Sequence, residues 1–307
     1  MTDRIHASSI DVSDNLENWN DRAEVHAHGG YGDLDAFADD PTALTPVVMK
    51  DMAVLRDHLP DHTMQGRRLL HLQCHLGDDT LTWWRLGARD VHGLDFSPAA
   101  LNHARQLAAR AHAPITYVEG DARFASEAMP DKKGFFDLIV TSVGTITWLP
   151  DLREWAQSIA SLLAPGGIFM IRDTHPLLFA LDDDGLTIVQ GWFSGTENTY
   201  ETDQTYTMRQ DDGEEEGTGG IVGKADTPGP RITHTTNHNW AHDFQEMTGV
   251  LIDAGLTIRA LGEHDISDWK ALPMLEYDKG RQGWVMPEGL PRIPLTFSLV
   301  AQKLETL

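Results

Sequence analysis

Four sets of residues in this chain have types and spacings that could do chemistry. The first is the run His71-Leu72-Gln73-Cys74-His75-Leu76-Gly77-Asp78-Asp79-Thr80, in which a glycine without a Cβ lets backbone come close to a ligand. The second is Asp95. It stands about 20 residues past the turn, where a nucleotide-binding strand-helix-strand unit places the carboxylate that accepts from ribose hydroxyls. The third is Asp173-Thr174-His175, where an imidazole with an ordinary pKa of about 6.5 suits proton transfer near neutrality. The fourth is histidine-rich: His71, Cys74 and His75 in one place and His234, His238 and His242 in another, types that ligate metals.

The metal reading does not survive the elements that would carry it. His71 and Cys74 fall on an alternating strand and point to opposite faces. A helix would align His234, His238 and His242, but Thr235, Thr236, Asn237 and Asn239 between them are poor helix formers. No metal is expected, and His75 is expected to pack in the turn. Asp78, Asp79 and Thr80 follow at the start of a helix, where carboxylates meet the positive end of the dipole. All three can cap that helix, and Asp79 or Thr80 could instead meet a ligand's charged groups.

Strand and helix signals alternate from residue 67, the pattern of a parallel sheet with helices on both faces. Strands are expected near 68–73, 91–95, 115–118, 136–142 and 167–172, and helices near 78–87, 98–111 and 151–163. Ser97 and Pro98 mark one helix start, the serine as cap and the proline where no amide hydrogen is needed. Residues 1–66 read as an amino-terminal cap. Its helices are LENWNDRAEVHA and PVVMKDMAVLRDHL, joined by HAHGGYGDLDAFADDP, a loop by its glycines and aspartates. Residues 67–307 form the main domain, with a β-rich insertion at about 176–240 that includes an acidic turn, DDGEEEGTGG. A helix then precedes LTIRALGEHD and PLTFSLVAQKL, which can pair as an antiparallel, hairpin-like edge.

Composition narrows the partners. The 24 Lys plus Arg against 47 Asp plus Glu give a formal charge of −23, which repels nucleic acid and anionic membrane. A small-molecule partner is expected instead. The single cysteine, Cys74, fits a reducing compartment. No stretch resembles a secretory signal or approaches the roughly 20 apolar residues of a membrane span, so a cytoplasmic location is expected.

Residues 68–172 resemble a class I S-adenosylmethionine-dependent methyltransferase. That family follows an acidic residue with Gly-x-Gly-x-Gly; here His71 takes the acidic place, Gln73 and His75 fall in the register of the first two glycines, and Gly77 remains. The turn is similar to that of a bacterial subgroup with an HLQCHxGxDT variant. The resemblance implies a Rossmann-like α/β fold with a seven-stranded sheet and a reversed last strand. It implies S-adenosylmethionine as cofactor, held by His71, Gln73, Gly77, Asp79, Thr80, Asp95 and Phe96. Asp121 and Ala122 would meet adenine, and Thr141 and Ser142 would line the floor beneath the sulfonium. Trp148 is pocket wall or ordinary core.

Methyl transfer is an in-line displacement that needs alignment above all, and a base only when the acceptor is a hydroxyl or amine. Ligands of open α/β sheets sit beyond the carboxyl ends of strands. This makes His175 the first choice for a base or substrate anchor, with a loop hydrogen bond as the competing role. His242 and Trp240 follow as pocket candidates. In the cap, Trp19, Arg22 and Tyr31 could close over the cofactor, Arg22 offering a bidentate fork to its carboxylate. The expected function is methyl transfer to a small molecule. The alternatives are a nicotinamide-dependent oxidoreductase, disfavoured by the missing G-x-G-x-x-G, and a non-catalytic S-adenosylmethionine sensor.

Overall fold

A computed structural model describes residues 9–182, 185–207 and 229–305. The apolar runs become strands β1 (Arg68–Leu72), β2 (Arg89–Asp95), β3 (Thr116–Glu119), β4 (Phe136–Thr141) and β5 (Leu163–Thr174). Between them lie α4 (Asp78–Arg85), α5 (Pro98–Arg110), the short α6 (Ala125–Ala128) and α7 (Arg153–Leu162). Ser97 caps α5 as expected, its Oγ accepting from the Ala100 amide at 3.1 Å. Strands β6 (Glu197–Glu201) and β7 (Thr236–Trp240) form a separate antiparallel pair. After helices α8 (Pro176–Ala180) and α9 (Phe244–Asp253) come β8 (Leu256–His264), the small pair β9 (Glu276–Asp278) and β10 (Gly283–Val285), and β11 (Thr296–Lys303).

The main sheet has seven strands in the order β3-β2-β1-β4-β5-β11-β8, and β11 is antiparallel to both its neighbours. This is the expected sheet with one reversed strand. The two final runs do pair, but not as a hairpin: residues 265–295 separate them, and β11 slots between β5 and β8. Leu69, Leu70 and Leu72 are all fully buried, as a strand covered on both faces requires. One face packs Trp155, Ile159, Leu251 and Phe297 around Phe169. The other packs Val48, Met52, Leu55 and Trp83 against Val140, Met170 and Val300.

The cap is more helical than expected. After α1 (Ser9–Val25) and a wide turn at His26–Gly30, α2 (Leu34–Asp39) forms within the stretch expected as loop. Asp33 caps it through the Ala36 amide at 2.9 Å, and Leu34, Phe37 and Ala38 pack near Leu101 and Ala104 of α5. Helix α3 (Pro46–Leu55) then covers the sheet. Helix α1 is stitched to the inserted pair: Asn15 Nδ2 donates to the His238 carbonyl at 2.9 Å and Asn15 Oδ1 accepts the His238 amide at 2.8 Å. The acidic turn expected at 211–220 lies outside the described residues. Among the described residues no helix is long and apolar enough to cross a membrane.

Candidate active site

The loop from β1 to α4 has a backbone made for glycine and a sequence that mostly lacks it. Gln73, His75 and Gly77 all lie in the left-handed region, with φ of 54°, 47° and 81°. These are the three places of the Gly-x-Gly-x-Gly register. A side-chain-bearing residue in that region costs roughly 1 kcal/mol, so Gln73 and His75 must make contacts that offset the strain. Gly77 has a reason besides the one expected. A Cβ there would lie 2.5 Å from Tyr117 Oη and 2.9 Å from Ala104 Cβ, so packing on β3 and α5 by itself demands this glycine.

Several polar atoms around this turn have no partner. His71 is buried, its Nδ1 2.8 Å from Thr80 Oγ1, while its Nε2 has no hydrogen bond. Burial holds its pKa down to about 4, so the ring is neutral. Thr80 thus serves His71 rather than capping α4; Gly77 occupies the cap position. Gln73 Nε2 donates to the Thr145 carbonyl at 2.9 Å, leaving its buried Oε1 unpartnered, and Asp79 Oδ1 is likewise buried and unpartnered. Burial raises the pKa of Asp78, and burial together with Asp78 raises that of Asp79. No Lys or Arg among the described residues pairs with either. Asp95 ends β2, buried, and accepts one bond on each oxygen: the His75 amide at 2.8 Å and the Ser97 amide at 2.9 Å. Burial pushes its pKa up to about 6, against the pull of those amides. Phe96 follows, half-buried.

The cap supplies the opposite charge. Arg22 is 6% exposed, donates through Nε to Asn18 Oδ1 at 2.6 Å, and has no carboxylate partner among the described residues. Its guanidinium lies 5.6 Å from the ring centres of both Trp19 and Trp148. Trp19 meets His75 edge-on at 5.2 Å, and Tyr31 lies 5.5 Å from the same ring. Tyr31 is hydrogen-bonded through its hydroxyl to Tyr206 from the insertion. Arg22, Asp78 and Asp79 all act electrostatically on Tyr206, so a buried cation and two part-buried carboxylates lie near its hydroxyl, and no ion pair forms between them among the described residues.

Residues farther along the sheet edge are more fully engaged. Asp121 is held by Arg123, whose Nε lies 3.0 Å from Oδ2, so an adenine amine would have to share its carboxylate with that guanidinium. Ala122 is buried beside it. Thr141 Oγ1 lies 3.3 Å from the Leu72 carbonyl, and Ser142 Oγ donates to Asp51 Oδ2 of α3 at 2.8 Å. His175 does not present a free nitrogen. Its Nδ1 accepts the Leu177 amide at 3.1 Å as the cap of α8, and its Nε2 faces Glu263 at 3.1 Å. His242 is also occupied, with Nδ1 2.7 Å from Glu246 Oε2 and Nε2 2.7 Å from the Leu149 carbonyl. Trp240, buried and with an unpartnered indole N–H, lines a crevice of about 10 Å³ with His242, Thr147, Thr174 and Phe297. A separate open cleft of about 350 Å³ is lined by Lys50, Arg172, His264 and Ser298, but Asp268 pairs with both of its cations. His234, His238 and His242 run along an extended segment; the described residues close enough to share an ion are instead Asp11, Glu197 and His238.

The comparisons fit this geometry. Residues 69–167 match the model of the methyltransferase domain family. Ribosomal protein L11 methyltransferase of Burkholderia lata is 33% identical over 102 residues, a match covering 33% of this chain and 30% of that protein. The match thus spans less than a third of the relative's length. An S-adenosylmethionine-dependent methyltransferase structure from Mesorhizobium loti aligns with a TM-score of 0.51 and 20% identity over 81% of this chain and 96% of that one. One from Clostridium acetobutylicum gives 0.52 and 12%, over 83% and 90%. Residues 69–167 thus match a methyltransferase domain, and the fold is the one seen in the S-adenosylmethionine-dependent methyltransferase structures.

The residues present fit that cofactor. It carries an ammonium, a carboxylate and ribose hydroxyls, and the turn offers unpaired Asp78 and Asp79, unpaired Arg22 and the strand-end Asp95 to meet them. Arg22, Asp79 and Asp95, expected from the sequence, lie around this turn, and His26, Asp78 and Tyr206, which the sequence did not single out, lie with them. The available signal was the register: side chains standing where glycine belongs need partners, and His26 is the partner of His75.

Proposed function

We propose that the chain transfers a methyl group from S-adenosylmethionine to a small-molecule acceptor. The observation that carries this reading is the set of buried Arg22 and part-buried Asp78 and Asp79, which form no ion pair among the described residues. Burying charge without a partner is costly, and a zwitterion entering this space relieves the cost at both ends. Arg22 would hold the amino-acid carboxylate, and Asp78 and Asp79 the ammonium. When His71 Nδ1 carries the ring proton, Nε2 is a further acceptor for that ammonium. Asp95 would accept from the ribose hydroxyls, while the backbone beside Ala122 borders the adenine.

The bound cofactor supplies a methyl group made electrophilic by its sulfonium. The chain's own residues orient it and exclude water. Asp173 anchors the loop after β4 by accepting the Thr145 and Ile146 amides at 2.9 and 3.0 Å, which fixes the floor near Thr141 and Ser142. The acceptor would enter beyond β4 and β5, near Thr147, Thr174 and Trp240. His175 and His242, with both ring nitrogens engaged, shape that wall rather than take a proton. A small molecule is favoured because side chains already cover the cofactor turn, Trp19 and Tyr31 packing on His75 and Tyr206 bonding Tyr31.

Isothermal titration checks the reading. S-adenosylmethionine and S-adenosylhomocysteine should bind one to one, and NAD should neither bind nor compete. Binding of NAD alone would replace the proposal with an oxidoreductase. Binding of the cofactor without S-adenosylhomocysteine formation, across a panel of hydroxyl, amine and thiol acceptors, would favour a sensor.

A further inference from the structure

Gln73 and His75 do more than tolerate a left-handed backbone. Gln73 reaches to the loop after β4 through the Thr145 carbonyl. His75 reaches the other way, into the cap, where its Nε2 lies 2.8 Å from His26 Nδ1. His26 is fully buried, and its Nε2 lies 2.7 Å from Thr205 Oγ1. The contacts therefore run from the cofactor turn through two imidazoles to the insertion. His26 immediately follows α1, one helical turn beyond Arg22, and Trp19 of the same helix closes edge-on against both His75 and Trp148.

We propose that His75 and His26 are positioning residues that latch the cap helix to the cofactor turn and so hold Arg22 where it receives the cofactor's carboxylate. The role assigned to Arg22 rests on the methyltransferase reading; the latch itself does not. Chemically the pair is well matched, since two neutral imidazoles make one N–H···N bond, with one ring donating and the other accepting. Thr205 can donate to His26 Nε2, leaving Nδ1–H to donate to His75. Burial and the nearby Arg22 both hold the pKa values of the two rings down, that of His75 to about 3, so both stay neutral. A glycine at 75 would adopt the same backbone without strain but could not reach His26.

The test is His75→Gly, with His26→Ala as a second break of the same bond should the first variant not fold. In the unliganded protein, amide exchange of residues 15–31 should speed up about tenfold while β1 and β4 keep their protection. The affinity for S-adenosylhomocysteine should fall about tenfold, and adding Arg22→Met to either variant should cost much less than it does alone, since both act through one contact. His26→Gln, which retains a donor and an acceptor, should stay within about threefold of the parent. Unchanged exchange in residues 15–31, or losses from Arg22→Met and His75→Gly that simply add, would overturn the latch. If the parent protein binds neither S-adenosylmethionine nor S-adenosylhomocysteine, the cofactor reading fails, and amide exchange alone still decides whether the latch exists.

Discussion

The carboxyl edge of the sheet has two halves that use polar atoms in opposite ways. At the β1–β2 end, among the described residues, His71 Nε2, Gln73 Oε1 and Asp79 Oδ1 are buried without partners, and Arg22 is buried without a carboxylate. At the β5 end, Asp173 is fully buried and accepts from four backbone amides, those of Gly144, Thr145, Ile146 and Thr174. Arg172 beside it pairs with Asp51 and Asp268. Both ring nitrogens of His175 and His242 are used. Buried polar groups in folded proteins are nearly always satisfied, so the unmet half is where a polar ligand belongs. Apart from the indole N–H of Trp240, the polar groups named in the other half are satisfied, and they serve as a scaffold.

Substitutions in the two halves should therefore separate stability from binding. The largest effect belongs to the satisfied half. Asp173→Ala strands buried amides of the floor loop, each worth about 1–3 kcal/mol when left unpaired, and should cost roughly 3–6 kcal/mol in urea unfolding. A loss under about 1 kcal/mol would show that the loop holds itself. In the unmet half, Arg22→Met should lower affinity for S-adenosylhomocysteine by about 2 kcal/mol, near 30-fold by calorimetry, while leaving unfolding within about 1 kcal/mol because no ion pair is broken. A large drop in stability with little loss of binding would reverse the assignment of the halves.

Asp95 gives a smaller, pH-dependent effect. Its pKa in the folded protein, about 6, lies above the ordinary 3.8. Its protonation therefore stabilises the fold at low pH, and that contribution is lost as pH rises through 6. Ribose hydroxyls donating to the carboxylate favour its ionised form, so binding releases a proton at acid pH. Affinity should be level above pH 7 and fall about tenfold by pH 5. A flat profile in a pH-jump titration would remove Asp95 from the site. The smallest effect should be that of His175→Asn, since asparagine can also cap α8. Turnover with any identified acceptor should change by less than about threefold and stability by less than about 1 kcal/mol, whereas a loss near 1,000-fold would restore His175 as the base.

Much of the fold was legible because its signals are local. Ser97-Pro98 announced α5, and the apolar runs announced β1, β2 and β4. The position of β11 between β5 and β8 was not, because strand order depends on contacts across more than 100 residues that no local pattern records. Placement was legible where residue type and spacing suffice, as for Asp95 at the end of β2. Role was less legible where the partner decides it: Gly77 is required by Tyr117, Thr80 turns to His71, Asp121 is held by Arg123, and His175 caps a helix. Tyr117 and His71 are distant in the chain from Gly77 and Thr80, whereas Arg123 and the Leu177 amide lie only two residues from Asp121 and His175. The register of the turn was the signal left unused, for Gln73 and His75 in the places of glycine already imply side chains with somewhere to go.

The most direct test compares two ligands that differ only at the end the unmet half would hold. S-adenosylhomocysteine carries the amino-acid ammonium and carboxylate, and 5′-methylthioadenosine carries neither. Two charge-assisted interactions separate them, so calorimetry should show the first binding at least about 100-fold more tightly. Equal affinities would mean that Arg22, Asp78 and Asp79 do not receive the amino-acid end, and would contradict the account at its centre.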